Sequence, residues 1–195
     1  MRSFIIDRLA RLSALGSPQA AAGLREAAVL VPLTDRTEGM TVLFVQRTQH
    51  LRHHAGQVSF PGGGVEPADK GVVAAALRET KEEIGIRPEQ IEVVAELEPI
   101  VTGTGFHVTP IVGFVAPSAE IKIDPFEVEH VFEVPLEFLL DPGHYEVHTR
   151  EFNGTPVSYY VLNYEGRIIW GATARILVNL ARHLGAEPIV QLPAS

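Results

Sequence analysis

Apolar positions along the chain recur at two different spacings, and the switches between them predict an order of elements. Residues 25–34 and 40–47 are nearly continuous runs of Val, Leu, Ile, Phe and Ala, separated by Thr37-Glu38-Gly39, which reads as two strands joined by a turn. From about 71 to 84 the spacing changes to helical: Val73, Ala76, Leu77, Thr80 and Ile84 form one stripe, and Gly85 is placed to stop the helix. Strand-like runs return at 91–98, 106–115 and 129–134, with a short helix expected after Pro135. Asn153-Gly154 is a strong hairpin signal between strands at 144–152 and 156–162. A final helix, 171–184, carries Ile176, Leu177, Leu180 and Leu184 on one face. At the start, Ile5, Leu9 and Leu12 recur at helical spacing and Phe4 widens the stripe. An amphipathic helix over 1–15 is expected, packed on the domain or on a second subunit, with 16–23 as a linker.

Mixed strands with one helix inserted among them and another at the end argue for an α+β fold. With 195 residues, 46% hydrophobic and 21% charged, the chain is expected to form a single domain over 1–195 with a sizeable core.

Charge narrows the function classes. A formal net charge of −8 argues against non-specific nucleic-acid binding, which needs a basic footprint. The chain has no cysteine, which removes disulfides, thiolate catalysis and zinc–thiolate sites, and a cytoplasmic setting is expected. Charges interrupt the apolar start, so no secretory core forms there, and no run approaches a membrane span. Asn153-Gly154-Thr155 matches a glycosylation sequon, but the turn accounts for it. A nucleophile elbow, a P-loop and a helical His-Glu-x-x-His are all missing from the sequence. Gly103-Thr104-Gly105 lacks the third glycine of a dinucleotide fingerprint and reads as a flexible loop near the site.

The richest chemistry lies in Arg78-Glu79-Thr80-Lys81-Glu82-Glu83-Ile84-Gly85-Ile86. On a helix, Glu79, Glu82 and Glu83 fall within about a 100° arc. Like charges four apart cost a bare helix roughly 0.2–0.5 kcal/mol, so local stability does not explain them. A bound divalent cation does; a solvated face carrying an Arg78–Glu82 ion pair is the plainer alternative. Upstream, Phe60-Pro61-Gly62-Gly63-Gly64 allows backbone to approach a ligand closely, so that a carbonyl and several carboxylates share a hard cation. Asp69 reads either as a helix cap or as a functional acid. Arg47, Arg52, His53 and His54 put cationic or proton-bearing groups just ahead of this loop, which suits phosphate contact. His53 is the one better read as an ordinary loop residue.

These residues resemble the Nudix hydrolases, whose box runs Gly, five residues, Glu, seven residues, Arg-Glu-apolar-x-Glu-Glu-x-Gly-apolar. Arg78 to Ile86 matches the second half, with Thr80 at the apolar position. The first half departs: counted from Gly63 the acidic position falls on Asp69, with eight residues before Arg78. That spacing is similar to the coenzyme A diphosphatase branch. So is the stretch 43–63, matching at Arg47, Leu51, Arg52, His54, Gly56, Val58, Phe60, Pro61, Gly62 and Gly63.

The resemblance implies an α/β/α sandwich around a mixed sheet. It also implies hydrolysis of the diphosphate of coenzyme A or acyl-coenzyme A, giving 3′,5′-ADP and 4′-phosphopantetheine. Glu79, Glu82 and Glu83, with the Gly63 carbonyl, would hold Mg²⁺ or Mn²⁺; Arg78 would orient Glu79 or Glu82 as part of the catalytic set. Arg47, Arg52, His54, Gly62 and Gly63 would bind substrate. Glu127 and Glu129 are candidate general bases. Homodimers are common in the family, and the N-terminal helix is a candidate contributor to one. Other readings are a hydrolase of ADP-ribose, a dinucleotide or a nucleoside triphosphate, and a non-catalytic nucleotide-binding regulator.

Overall fold

The computed structural model describes residues 1–10, 23–51, 54–152, 154–187, 189 and 192. Two long strands, β1 (Arg25–Arg36) and β2 (Gly39–Arg47), form the predicted antiparallel pair, with Leu33 opposite Val42. Two short strands follow, β3 (Val58–Ser59) and β4 (Gly62–Gly64), then the helix α2 (Val72–Ile84); α1 (Arg2–Leu9) precedes them all. Next come β5 (Ile91–Glu96), β6 (Ile100–Val101), β7 (Phe106–Val115) and β8 (Val128–Pro135). The chain ends in α3 (Leu136–Leu140), β9 (Glu146–Phe152), β10 (Thr155–Tyr164), β11 (Arg167–Trp170) and α4 (Gly171–Leu184).

The main sheet runs β3-β2-β1-β7-β5, with β4 on β1, β6 on β7 and β8 on β2. It is mixed, because β1 and β7 lie parallel from Arg25↔Phe106 to Thr34↔Val115 while its other pairs are antiparallel. Both faces are covered, which is why β1 and β2 read as continuous apolar runs. Leu30, Leu43, Val45 and Ile111 pack on one side with Ala75, Ala76 and Ile84 of α2. Val31, Val42, Phe44 and Val112 pack on the other with Ile5 and Leu9 of α1 and Ile176, Leu177 and Leu180 of α4. This is the expected helix–sheet–helix layering. A separate three-stranded sheet, β11-β10-β9, carries its inner residues Tyr160, Leu162 and Ile169 into the second of these cores.

The helix α2 ends where Gly85 turns left-handed, at φ 76°, and its N–H donates to the Lys81 carbonyl. Its N-cap is Gly71, with no side chain serving it, so Asp69 is not the cap that its position allowed. The N-terminal helix is described only to Leu9; Leu12 and the expected linker lie mostly outside the described residues, as does Asn153 of the predicted turn. Four strands, β3, β4, β6 and β11, were not predicted, and β5 ends at Glu96 rather than 98. They are two to four residues long, too short to show alternation. Among the described residues no helix is long and apolar enough to cross a membrane.

Candidate active site

The buried side of α2 faces the sheet, and the helix turn carries its acids from that side outward. Glu83 points inward and is 2% exposed, Glu79 is 18% exposed and Glu82 is 59% exposed. Thr80, at the position the box gives to an apolar residue, is fully buried and satisfies its hydroxyl on the Ala76 carbonyl at 2.7 Å. The helix thus keeps its apolar stripe despite the hydroxyl.

Two groups bond to Glu83, and one of them also bonds Glu127. Arg47 Nη1 donates to its Oε1 at 2.9 Å, the Gly62 N–H donates to its Oε2 at 3.1 Å, and Arg47 Nη2 reaches Glu127 at 3.2 Å. Burial pushes the Glu83 carboxyl up to about 7, against the pull of Arg47 and the Gly62 N–H, and the neighbouring Glu79 and Glu127 push in the same upward direction as burial. Burial likewise raises Glu79, with Arg78 opposing and Glu82 and Glu127 adding repulsion.

The glycine loop is held against this helix. As β4, Gly62 pairs with Val29 and Gly64 with Ala27. A Cβ on Gly62 would overlap the Ala28 carbonyl and the Val29 backbone, and one on Gly63 would stand 2.5 Å from the Glu79 carboxyl. Only glycine lets the loop lie this close to both the strand and the acid. Arg78 locks the arrangement: Nε and Nη2 form a fork on Asp69 at 3.0 Å each, and Nη2 also donates to the Gly64 carbonyl at 3.0 Å. Nη1 reaches Glu79 at 2.9 Å and Glu82 at 3.1 Å. Asp69 therefore serves Arg78, whose bonds hold its carboxyl below the usual range together with the Glu66 N–H. At the irregular position of the box, therefore, the structure places an acid paired with the arginine.

Not every expected residue converges here. His54 is exposed, sits in a left-handed turn at φ 58°, and bonds Gln57 at 2.8 Å. Arg52 and His53 lie outside the described residues. Arg47 is expected on phosphate from sequence, yet its two nitrogens are engaged by Glu83 and Glu127. Glu129 is exposed on β8, whereas Glu127 joins the buried acid through Arg47. The three helix acids do not close on one point, and among the described residues no three acids or histidines surround a common ion position. Each turns instead to an arginine.

A family model described as the NUDIX domain matches residues 24–153. The chain belongs to the Nudix family. A protein of Salmonella paratyphi B described as an uncharacterized Nudix hydrolase, NudL, is 43% identical over 84% of this chain and 85% of its own length. Its counterpart in Salmonella newport matches equally. Among solved structures, an Ap4A hydrolase of Caenorhabditis elegans shares the fold with a TM-score of 0.50 and 24% identity, over 57% of this chain and 80% of that one. As a Nudix hydrolase the protein cleaves a diphosphate compound, and the family generally uses divalent metal ions. The donor type suits such ions: hard carboxylate oxygens of Glu79 and Glu83 lie against the glycine loop, Glu82 follows on the exposed side of the same helix, and burial, then repulsion between neighbouring acids, raises Glu79 and Glu83.

Proposed function

We propose that this Nudix hydrolase cleaves the diphosphate of coenzyme A or acyl-coenzyme A, giving 3′,5′-ADP and (acyl-)4′-phosphopantetheine. The observation that carries the reading is the junction at Glu83. The stretch resembling the coenzyme A branch, Arg47 to Gly63, and the acidic helix are joined there by two hydrogen bonds, from Arg47 and from the Gly62 N–H.

In this reading Glu79, Glu82 and Glu83, with the Gly63 carbonyl, hold Mg²⁺ or Mn²⁺. When bound, the cations neutralise the diphosphate, polarise phosphorus and acidify an attacking water. Arg78 keeps Glu79 and Glu82 in place while Asp69 fixes Arg78 itself. Arg47 is a positioning residue for Glu83, and Arg52, His54, Gly62 and Gly63 serve the substrate. Glu127 is preferred over Glu129 as general base, because it shares Arg47 with Glu83 and its charge is felt by Glu79 and Glu83. Water adds across the P–O–P bridge: its oxygen bonds to one phosphorus, the bridging oxygen leaves with the other, and Glu127 accepts the water proton. The reading takes the whole chain as one catalytic unit in the cytoplasm.

A substrate panel tests the reading. With Mg²⁺, coenzyme A is expected to turn over faster than its dephospho form, ADP-ribose, a dinucleotide or a nucleoside triphosphate. Indifference to the 3′-phosphate would move the assignment to another nucleoside diphosphate derivative.

A further inference from the structure

The three-stranded sheet has an outer face that the catalytic reading leaves unused. Register places His148 opposite Tyr159, Arg150 opposite Val157, Phe152 opposite Thr155 and Trp170 opposite Val161, all on the side away from the buried Tyr160 and Leu162. Arg150 stands at its centre. Its guanidinium carbon lies 5.4 Å from the Trp170 ring centroid, 5.7 Å from Tyr159 and 5.9 Å from Phe152. Tyr159 and Trp170 meet edge to face, with centroids 5.7 Å apart. Among the described residues Arg150 forms no ion pair, so a cation rests on aromatic faces with its charge unneutralised.

Both ends of this face adjoin the elements that carry the glycine loop. At one end the Phe152 ring lies beside Gly103, in the loop whose Thr104 and Gly105 carbonyls accept from Arg25 at the head of β1. Two residues further along β1, Ala27 pairs with Gly64. At the other end β11 packs beside β3, and the Thr173 hydroxyl donates to the Val58 carbonyl at 3.3 Å. From Val58 the chain reaches Gly62 in four residues.

We propose that this outer face binds the nucleoside end of the substrate: an adenine stacks on Tyr159 and Trp170, and its 3′-phosphate meets Arg150. Aromatic faces accept a base without sequence-like readout, and an arginine fork matches phosphate oxygens. The proposal takes the ligand's identity from the coenzyme A reading; the charge and the rings come from the face itself.

Trp170 is the chain's single tryptophan, so stacking reads directly as a change in its fluorescence. Adenosine 3′,5′-bisphosphate, titrated into the full-length protein, is expected to quench it and to bind tighter than AMP by roughly tenfold or more, the worth of a charge-assisted contact. Arg150→Ala, checked for folding by circular dichroism, is expected to bring the two affinities together. Tyr159→Leu is expected to weaken both ligands alike. An absent response in the wild type, or a preference for the bisphosphate that survives Arg150→Ala, overturns the proposal. A dimer broken by Arg150→Ala, with fluorescence indifferent to nucleotide, overturns it in favour of a second copy of the chain. Quenching by the bisphosphate in a protein that does not cleave coenzyme A supports the nucleotide site and removes only the reaction. Cleavage of coenzyme A without quenching removes the site and leaves the reaction.

Discussion

Glu83 is the residue on which most of the account rests, because its carboxyl is buried, flanked by Arg47, and bonded to the glycine loop. Glu83→Gln keeps the shape while removing the charge a divalent ion requires, and leaves one acceptor oxygen where Arg47 and the Gly62 N–H now use two. Turnover is expected to fall on the order of 100-fold or more, with circular dichroism unchanged; near-normal turnover would sink the assignment. Arg47 separates two roles. As a positioning residue, its loss in Arg47→Ala is expected to raise the metal concentration needed for half-maximal rate by roughly 10-fold or more. A rise in KM for coenzyme A with metal dependence untouched would return Arg47 to the phosphate role that its sequence context suggested. Sequence showed which acids would share a helix face. It could not show that Glu83 is the buried one, because the arginine that pairs with it lies 36 residues away, at the end of β2.

At the scale of elements, the link between α2 and the glycine loop is Arg78, through Asp69, the Gly64 carbonyl, Glu79 and Glu82. Lysine keeps the charge but cannot form the fork, so Arg78→Lys is expected to lower stability by about 1–3 kcal/mol in urea unfolding and to reduce turnover as well. Unchanged stability and rate would mean that the fork is incidental. Away from the site, Glu133 on β8 accepts from Arg36 Nε at 3.0 Å and from the Thr41 hydroxyl at 2.6 Å, and these bonds hold its carboxyl below its ordinary value. Its folded value being depressed, its contribution is present above the unfolded carboxyl value and is lost as pH falls through the folded one. Glu133→Gln is therefore expected to flatten the acid limb of stability against pH below about 4.5, and an unchanged limb would refute the linkage. The long strands and both long helices were legible because their apolar spacing repeats. The strand β4 was not: its glycines carry no pattern, and its conformation is fixed by β1 and by the Glu79 carboxyl.

For the whole molecule, a two-faced sheet stacks α2 and its acids on one side and α1 and α4 on the other, leaving the glycine loop between β1 and α2. The α+β class followed from the order of elements, and the layering from the resemblance to the Nudix hydrolases; it agrees with long strands that are apolar throughout because both faces are covered. The second sheet's aromatic face did not follow from sequence, because strand register alone brings Arg150 from β9 to Trp170 on β11. Incubation of the protein with coenzyme A and Mg²⁺, followed by mass analysis of the products, tests the central claim most directly. The expected result is adenosine 3′,5′-bisphosphate and 4′-phosphopantetheine in equal amounts, formed with Mg²⁺ and abolished by chelator. Intact coenzyme A under conditions where another nucleoside diphosphate is cleaved, or cleavage that ignores the chelator, would contradict it.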